Sequence, residues 1–299
     1  MTANFHDRPR RLHTYRGAVT DGSRWRAFRH REDDVFVCTP PKSGTTWMQA
    51  IAALLIFGKP ELDFNPADRA LWLDSSFTAE DEMLAHFEAQ TERRVIKTHT
   101  PLDGLPFFAN CTYLAVYRDP RDVFFSMLNH YGNIKRDMKS DPRGLPLSQS
   151  FEYWLAKEFR PDDADAFALE YVTHHLSSFW SYRQLPNVHL FHYADLQRDL
   201  HTEMAAVARA LRLEVERDLL AALSEAASFD HMKARATRFV PRANGNLWRD
   251  PERFLNKGQS GQFRDVLSDT MLADYSARLR GLLSDQQASW LTSGSEPSL

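Results

Sequence analysis

Four short apolar runs, DVFVCT, RRVIKTH, TYLAVYR and VHLFHY, are rich in β-branched and aromatic residues, the pattern of β-strands. Longer stretches with apolar residues near i, i+3, i+4 and i+7 predict helices at TTWMQAIAALLIFG, DPRDVFFSMLNHY, FALEYVTHHLSSFWSYRQL, DLQRDLHTEMAAVARALRL and ERDLLAALSEAA. Short strands alternating with longer helices predict an α/β domain, a central parallel sheet flanked by helices. Residues 59–90 and 132–150, rich in Pro, Asp and Gly, predict long loops or lids over a site. Both chain ends are polar and aperiodic. The expected layout is therefore an N-terminal arm at 1–30, one domain at 31–285 and a polar tail at 286–299.

Composition narrows the function classes. A chain of 299 residues, 43% of them hydrophobic, can bury a sizeable core. Lysine and arginine total 37 against 40 acids, so no overall basic excess points to nucleic acid or an anionic membrane. Any anion site must be local. Cys38 and Cys111 lie inside strand runs, which suits buried thiols better than a disulfide or a metal site. MTANFHDRPRR lacks an apolar leader core, and no apolar run approaches the ~18 residues of a membrane span. The expectation is a cytoplasmic protein without integral membrane association.

Three strand ends carry candidate chemistry. PPKSGTTW, residues 40–47, follows one strand and precedes a helix, so first-turn amides point at whatever lies in front. A Walker A loop needs Gly-Lys-Ser/Thr, whereas here Lys42 precedes Gly44, which disfavours ATP. A capped helix start and a phosphate loop remain level on this octapeptide alone. In RRVIKTHTP, Lys97 and His99 are two apart and share a face at the strand's end, where parallel-sheet sites lie. A histidine there can take a proton near neutral pH, or serve as a structural histidine bonded to a carbonyl. In YLAVYRDPRDVFFSML, Arg118 ends a strand, Asp119 and Pro120 start a helix, and Ser126 lies two turns in. An arginine fork with a nearby hydroxyl suits a second phosphate; a salt bridge to Asp119 or Asp122 is the alternative.

In this order, PKSGTTW, KTH, RDPRDVFFS and FLNKGQSGQF resemble the motifs of the cytosolic-type sulfotransferase family, over roughly residues 15–275. IKTHTPLDGL, FHYADLQ and WRDPERF are similar to its bacterial branch, which includes mycobacterial glycolipid and aryl sulfotransferases. The resemblance implies a P-loop NTPase-like sulfotransferase fold in a single α/β domain. It implies the donor 3′-phosphoadenosine 5′-phosphosulfate and the product adenosine 3′,5′-bisphosphate. By the same resemblance Lys42, Ser43, Gly44, Thr45 and Thr46 surround the 5′-phosphate and the transferring sulfuryl group, and Trp47 flanks adenine. Arg118 and Ser126 match the 3′-phosphate pair, Tyr193, Ser228 and Phe229 lie near the base, and Leu255, Asn256, Lys257 and Gly258 form the last loop. Three positions depart from the pattern: Ala227 replaces threonine, Asn256 replaces arginine and Phe263 replaces tryptophan.

Sulfuryl transfer in line from phosphate to an acceptor hydroxyl or amine needs a base and cations for the leaving phosphate. His99 is the expected base, and Lys42 and Lys97 the expected catalytic cations. No metal is expected, because fixed cations supply the charge that Mg²⁺ brings to a kinase. His174 and His175 are adjacent, so they face different sides of a helix and do not make a metal pair. Phe107, Phe108, Tyr131, Phe151, Trp154, Phe179 and Trp180 offer aromatic surface for a small hydrophobic, aromatic or lipid acceptor. RDVLSDTMLA lacks the Thr-Val pair and the glutamate of the family's dimerisation segment, so the oligomeric state stays open. The competing readings are a nucleotide kinase or NTPase on the same scaffold and a non-catalytic nucleotide-binding module.

Overall fold

The computed structural model describes residues 8–135, 142–241, 248–255 and 258–294. Strands β1 (Val35–Cys38), β2 (Val95–Thr98), β3 (Thr112–Tyr117) and β4 (Val188–His192) form one sheet in the order β2-β1-β3-β4. Every neighbouring pair is parallel, with Val35 opposite both Val95 and Thr112 and Tyr113 opposite Val188. All four strands therefore end at the same edge. All four strand runs predicted from the sequence are present.

The helices follow the chain as α1 (Thr45–Phe57), α2 (Pro66–Arg69), α3 (Glu80–Glu88), α4 (Pro120–Gly132), α5 (Leu147–Ala156) and α6 (Leu169–Trp180). After β4 come α7 (Tyr193–Arg198), α8 (Leu200–Ala210), α9 (Arg217–Ala226), α10 (Phe229–Ala234), α11 (Asp269–Leu282) and α12 (Asp285–Ser293). Because strand side chains alternate, Val35, Val37, Leu114 and Val116 pack on α1, α8 and α9. Phe36, Cys38, Tyr113, Ala115 and Tyr117 pack on the other side with α5, α6, α11 and α12. The result is a helix-sheet-helix sandwich with both sheet faces buried. Both cysteines are buried and free. Among the described residues no helix is long and apolar enough to cross a membrane.

Three expectations need correction. The tail expected over 286–299 is helical as far as Ser293, because Ser284 and Gln287 form a reciprocal capping box. Trp290 and Leu291 of α12 are buried against the sheet's outer layer, near Tyr117 and Trp180. From residue 8 onward the expected N-terminal arm is built into the domain. Tyr15, Trp25 and Phe28 are core residues, and the Trp25 indole donates to Asp74 at 3.0 Å. Their uneven spacing gives no period to read. The single helix expected across DLQRDLHTEMAAVARALRL is two, broken at Asp199, whose carboxylate caps α8 at the Thr202 amide.

Candidate active site

The turn after β1 is shaped by two left-handed residues, Lys42 at φ 65° and Gly44 at φ 113°. A Cβ on Gly44 would lie 3.1 Å from the Tyr193 ring, so glycine suits both the backbone and the space. At Lys42 the same conformation costs about 1–2 kcal/mol and turns the side chain into the cavity described below. Gly44 is the N-cap of α1 and offers no side-chain cap, so the helix's first-turn amides gain no partner from it. The positive end of its dipole faces the same place. Ser43 Oγ is buried without a partner.

His99 stands one residue past β2. Its Nδ1 lies 2.7 Å from the Thr39 carbonyl, which can only accept, so Nδ1 carries the proton and Nε2 is bare. The Tyr171 hydroxyl donates to the His99 carbonyl at 2.6 Å, and Trp72 packs edge-on against the ring at 4.8 Å. Burial, then the charge of Lys97, holds the imidazole well below its usual range, so it is neutral at pH 7. Lys97 Nζ sits 5.0 Å over the Trp72 ring, and burial pushes its ammonium down to about 8. Lys42 Nζ is 3.3 Å from His130 Nδ1 and 4.6 Å over Phe254. Burial, then Arg118 and Lys97, pushes Lys42 down to about 7. A cluster of cations depressed in this way is a site prepared for an anion.

Arg118 extends from the end of β3 with its guanidinium 4.4 Å over the Tyr193 ring. Its Nη2 donates to the Gln259 carbonyl at 2.7 Å, while Nε is buried and unpartnered. The salt bridge considered from sequence goes elsewhere: Asp119 pairs with Arg121 at 2.6 Å. Asp122 accepts the amides of Gly261 and Gln262. Trp47 donates its indole N–H to the Ala227 carbonyl at 2.8 Å, so that position contributes through its backbone although it lacks a hydroxyl. Gly258, at φ 61°, approaches Phe229 so closely that a Cβ would meet the ring at 2.5 Å.

One cavity of about 650 Å³ is lined by Lys42, Gly44, Thr45, Thr46, Trp47, Lys97, His99, Arg118, Ser126, Tyr193, Phe229, Leu255 and Gly258. Two expected residues do not line it. Ser43 is buried behind the loop, and Ser228 caps α10 at the His231 amide. Asn256 and Lys257 lie outside the described residues. Of the expected aromatic surface, Tyr131 and Trp154 reach the cavity. Phe107 and Phe108 instead stack on Tyr113 and His30, and Phe151, Phe179 and Trp180 are core. Trp72, Phe77, Phe167, Tyr171, Trp248 and Phe254 supply the remaining aromatic wall, and the sequence names none of them as acceptor surface. His130 was also missed, although Ser126 and His130 are four apart on α4 and so share its face. His174 bonds Asp103 and Tyr15, and His175 bonds the Tyr117 hydroxyl. Among the described residues no group of His, Cys, Asp and Glu could hold a metal ion.

A family model described as the sulfotransferase domain matches residues 32–286. The chain is 33% identical over 307 residues to a glycolipid sulfotransferase of Mycobacterium bovis, with 94% of each chain covered. It is 25% identical over 252 residues to an amine sulfotransferase of Oryctolagus cuniculus, covering 79% of this chain and 76% of that one. Among solved structures, a mouse sulfotransferase complexed with PAP superposes with a TM-score of 0.69 at 18% identity, covering 88% of this chain and 89% of that one. Retinol dehydratase in complex with androsterone and PAP gives 0.68 at 21% identity, covering 91% and 85%. Both share this fold.

Proposed function

The chain belongs to the sulfotransferase family, and from that premise we propose that it moves a sulfuryl group from 3′-phosphoadenosine 5′-phosphosulfate to a hydroxyl of a small hydrophobic acceptor, with His99 as general base. The observation that carries this reading is the convergence of Lys42, Lys97, His99 and Arg118, from three neighbouring strand ends, on one cavity. The residues fit the donor. Arg118 Nε is a buried polar atom without a partner, and both cavity lysines are cations that burial holds below their ordinary range. The 5′-phosphate belongs in front of the α1 amides and Lys42, the 3′-phosphate against Arg118 and Ser126, and adenine between Trp47, Tyr193 and Phe229.

In the transfer, the acceptor oxygen bonds to sulfur as the bond from sulfur to the 5′-phosphate oxygen breaks. The acceptor's proton passes to His99 Nε2, which is bare and already oriented through the Nδ1 bond to Thr39. Charge then gathers on the departing phosphate, where Lys42 and the α1 amides stand, and Lys97 steadies the equatorial oxygens. The aromatic wall, with Trp72 beside His99 and with Phe77, Tyr131 and Phe167, suits a flat or long apolar alcohol or phenol. The name of the mycobacterial relatives adds glycolipids to the acceptors worth testing. The discriminating experiment is thermal melting with nucleotides. Adenosine 3′,5′-bisphosphate, which is PAP, should raise Tm far more than ADP or ATP, with or without Mg²⁺. Equal stabilisation by Mg·ATP would favour a kinase instead.

A further inference from the structure

Residues 258–263 run beside the nucleotide half of the cavity, which Gly258 and Gln262 line. Four side chains, Gln197, Arg118, Asp122 and Arg121, hold this segment. Gln197 of α7 donates to the Gly258 carbonyl and accepts from Ser260 Oγ at 2.6 Å. Arg118 donates to the Gln259 carbonyl at 2.7 Å. The Asp122 carboxylate takes the Gly261 amide at 2.9 and 3.0 Å and the Gln262 amide at 3.1 Å. Phe263 is buried under the Arg121 guanidinium, 3.8 Å from its ring centre.

Asp122 is the costly member of this set. It is fully buried in the first turn of α4, one turn beyond Arg118, yet it makes no hydrogen bond to that arginine. Burial pushes its carboxyl up, and Arg118 and the loop amides pull it back. A buried acid this near a phosphate site repels the ligand through space. Its contacts must therefore do something that outweighs the repulsion. We propose that Asp122 is a positioning residue for the 3′-phosphate: by anchoring the Gly261 and Gln262 amides it fixes the loop whose Gln259 carbonyl orients Arg118 and whose Gly258 closes on Phe229. The proposal rests on the reading of Arg118 as the 3′-phosphate ligand. Gln197 of α7 holds the same loop at Gly258 and Ser260.

The two roles of Asp122 predict opposite signs, which makes them separable. Loss of a negative charge alone would tighten adenosine 3′,5′-bisphosphate and, more weakly, adenosine 5′-monophosphate. Loss of the anchor weakens the bisphosphate selectively, because the monophosphate makes no use of Arg118. The experiment is calorimetric titration of both nucleotides against the wild-type chain, Asp122→Ala, Asp122→Asn and Gln197→Ala. Asp122→Ala should weaken the bisphosphate ~10-fold or more and change the monophosphate less than ~2-fold, since charge-assisted bonds from Arg118 are at stake. Asn keeps one acceptor oxygen and should recover part of the loss. Gln197→Ala, at an exposed hydrogen bond, should shift the same ratio in the same direction by a smaller factor and keeps the test alive if Asp122→Ala does not fold. A bisphosphate-to-monophosphate ratio that is unchanged or raised in folded Asp122→Asn and Gln197→Ala overturns the proposal. A wild-type chain that does not prefer the bisphosphate brings down the Arg118 assignment first, and this proposal with it.

Discussion

Binding of the nucleotide should be visible as proton uptake. Lys42 and Lys97 are pushed down to about 7 and about 8, with burial the larger cause in both and neighbouring cations adding to it at Lys42. A bound bisphosphate leaves the lysines buried, but its negative charge offsets both causes, so each lysine is brought back toward its ordinary range near 10.4. At pH 8 a group of pKa about 7 is roughly one-tenth protonated and one of about 8 is half protonated. Charging both takes up about 0.9 plus about 0.5, or ~1.4 protons per nucleotide. At pH 6 both are already charged, and uptake from the lysines falls to ~0.1. The sign follows: binding that takes up protons weakens as pH rises. Between pH 7 and 9, above the second phosphate ionisation near pH 6, affinity should drop by about 500-fold, roughly 1.7 log units from Lys42 and about 1.0 from Lys97. The assay is calorimetry at pH 8 in HEPES and in Tris, whose protonation enthalpies differ. Lys42→Ala should leave only the ~0.5 proton of Lys97. Uptake near zero at pH 8, or uptake unaffected by Lys42→Ala, would refute the reasoning.

The other predictions are shorter. His99→Ala should lower kcat by ~10²-fold or more and leave the Kd for adenosine 3′,5′-bisphosphate nearly unchanged; a mutant that loses the nucleotide would make His99 structural. Arg118→Ala should weaken the bisphosphate by at least ~10-fold while sparing adenosine 5′-monophosphate, because charge-assisted bonds are worth ~1.5–3 kcal/mol. Equal loss for both nucleotides in titration would move Arg118 off the 3′-phosphate. Trp290→Ala, which empties a buried site against Tyr117, Trp180 and His192, should cost ~3 kcal/mol or more in chemical unfolding. An unchanged unfolding midpoint would mean that α12 is not part of the core.

What could be read from the sequence was what local pattern determines. The four strands are continuous β-branched or aromatic runs, and Asp119 followed by Pro120 marks the start of α4 without any tertiary knowledge. Lys42, His99 and Arg118 were legible because a parallel sheet brings its strand ends to one edge, so residues at those ends must converge. Helix α12 was written in Ser284 and Gln287, a capping box that the polar composition of the segment obscured. His130 was equally legible from its spacing to Ser126. The rest depends on contacts between distant segments. Trp72 enters the cavity from a single bridge to Lys97 and Phe254 from a four-residue 3₁₀ turn, both too short to show a period. The carbonyl that fixes the His99 tautomer belongs to Thr39, 60 residues away, and Asp122 meets Gly261 across 139 residues.

The central claim is that this chain transfers a sulfuryl group to a hydroxyl using His99. Its most direct test is incubation with 3′-phosphoadenosine 5′-phosphosulfate radiolabelled at sulfur and a panel of phenols, long-chain alcohols, amines and glycolipids, for the wild-type chain and His99→Ala in parallel. The account predicts label covalently attached to at least one apolar hydroxyl acceptor, adenosine 3′,5′-bisphosphate released in equal amount, and both signals lost in His99→Ala. A wild-type chain that binds the donor but labels no acceptor, or a His99→Ala variant that transfers at the wild-type rate, would contradict it.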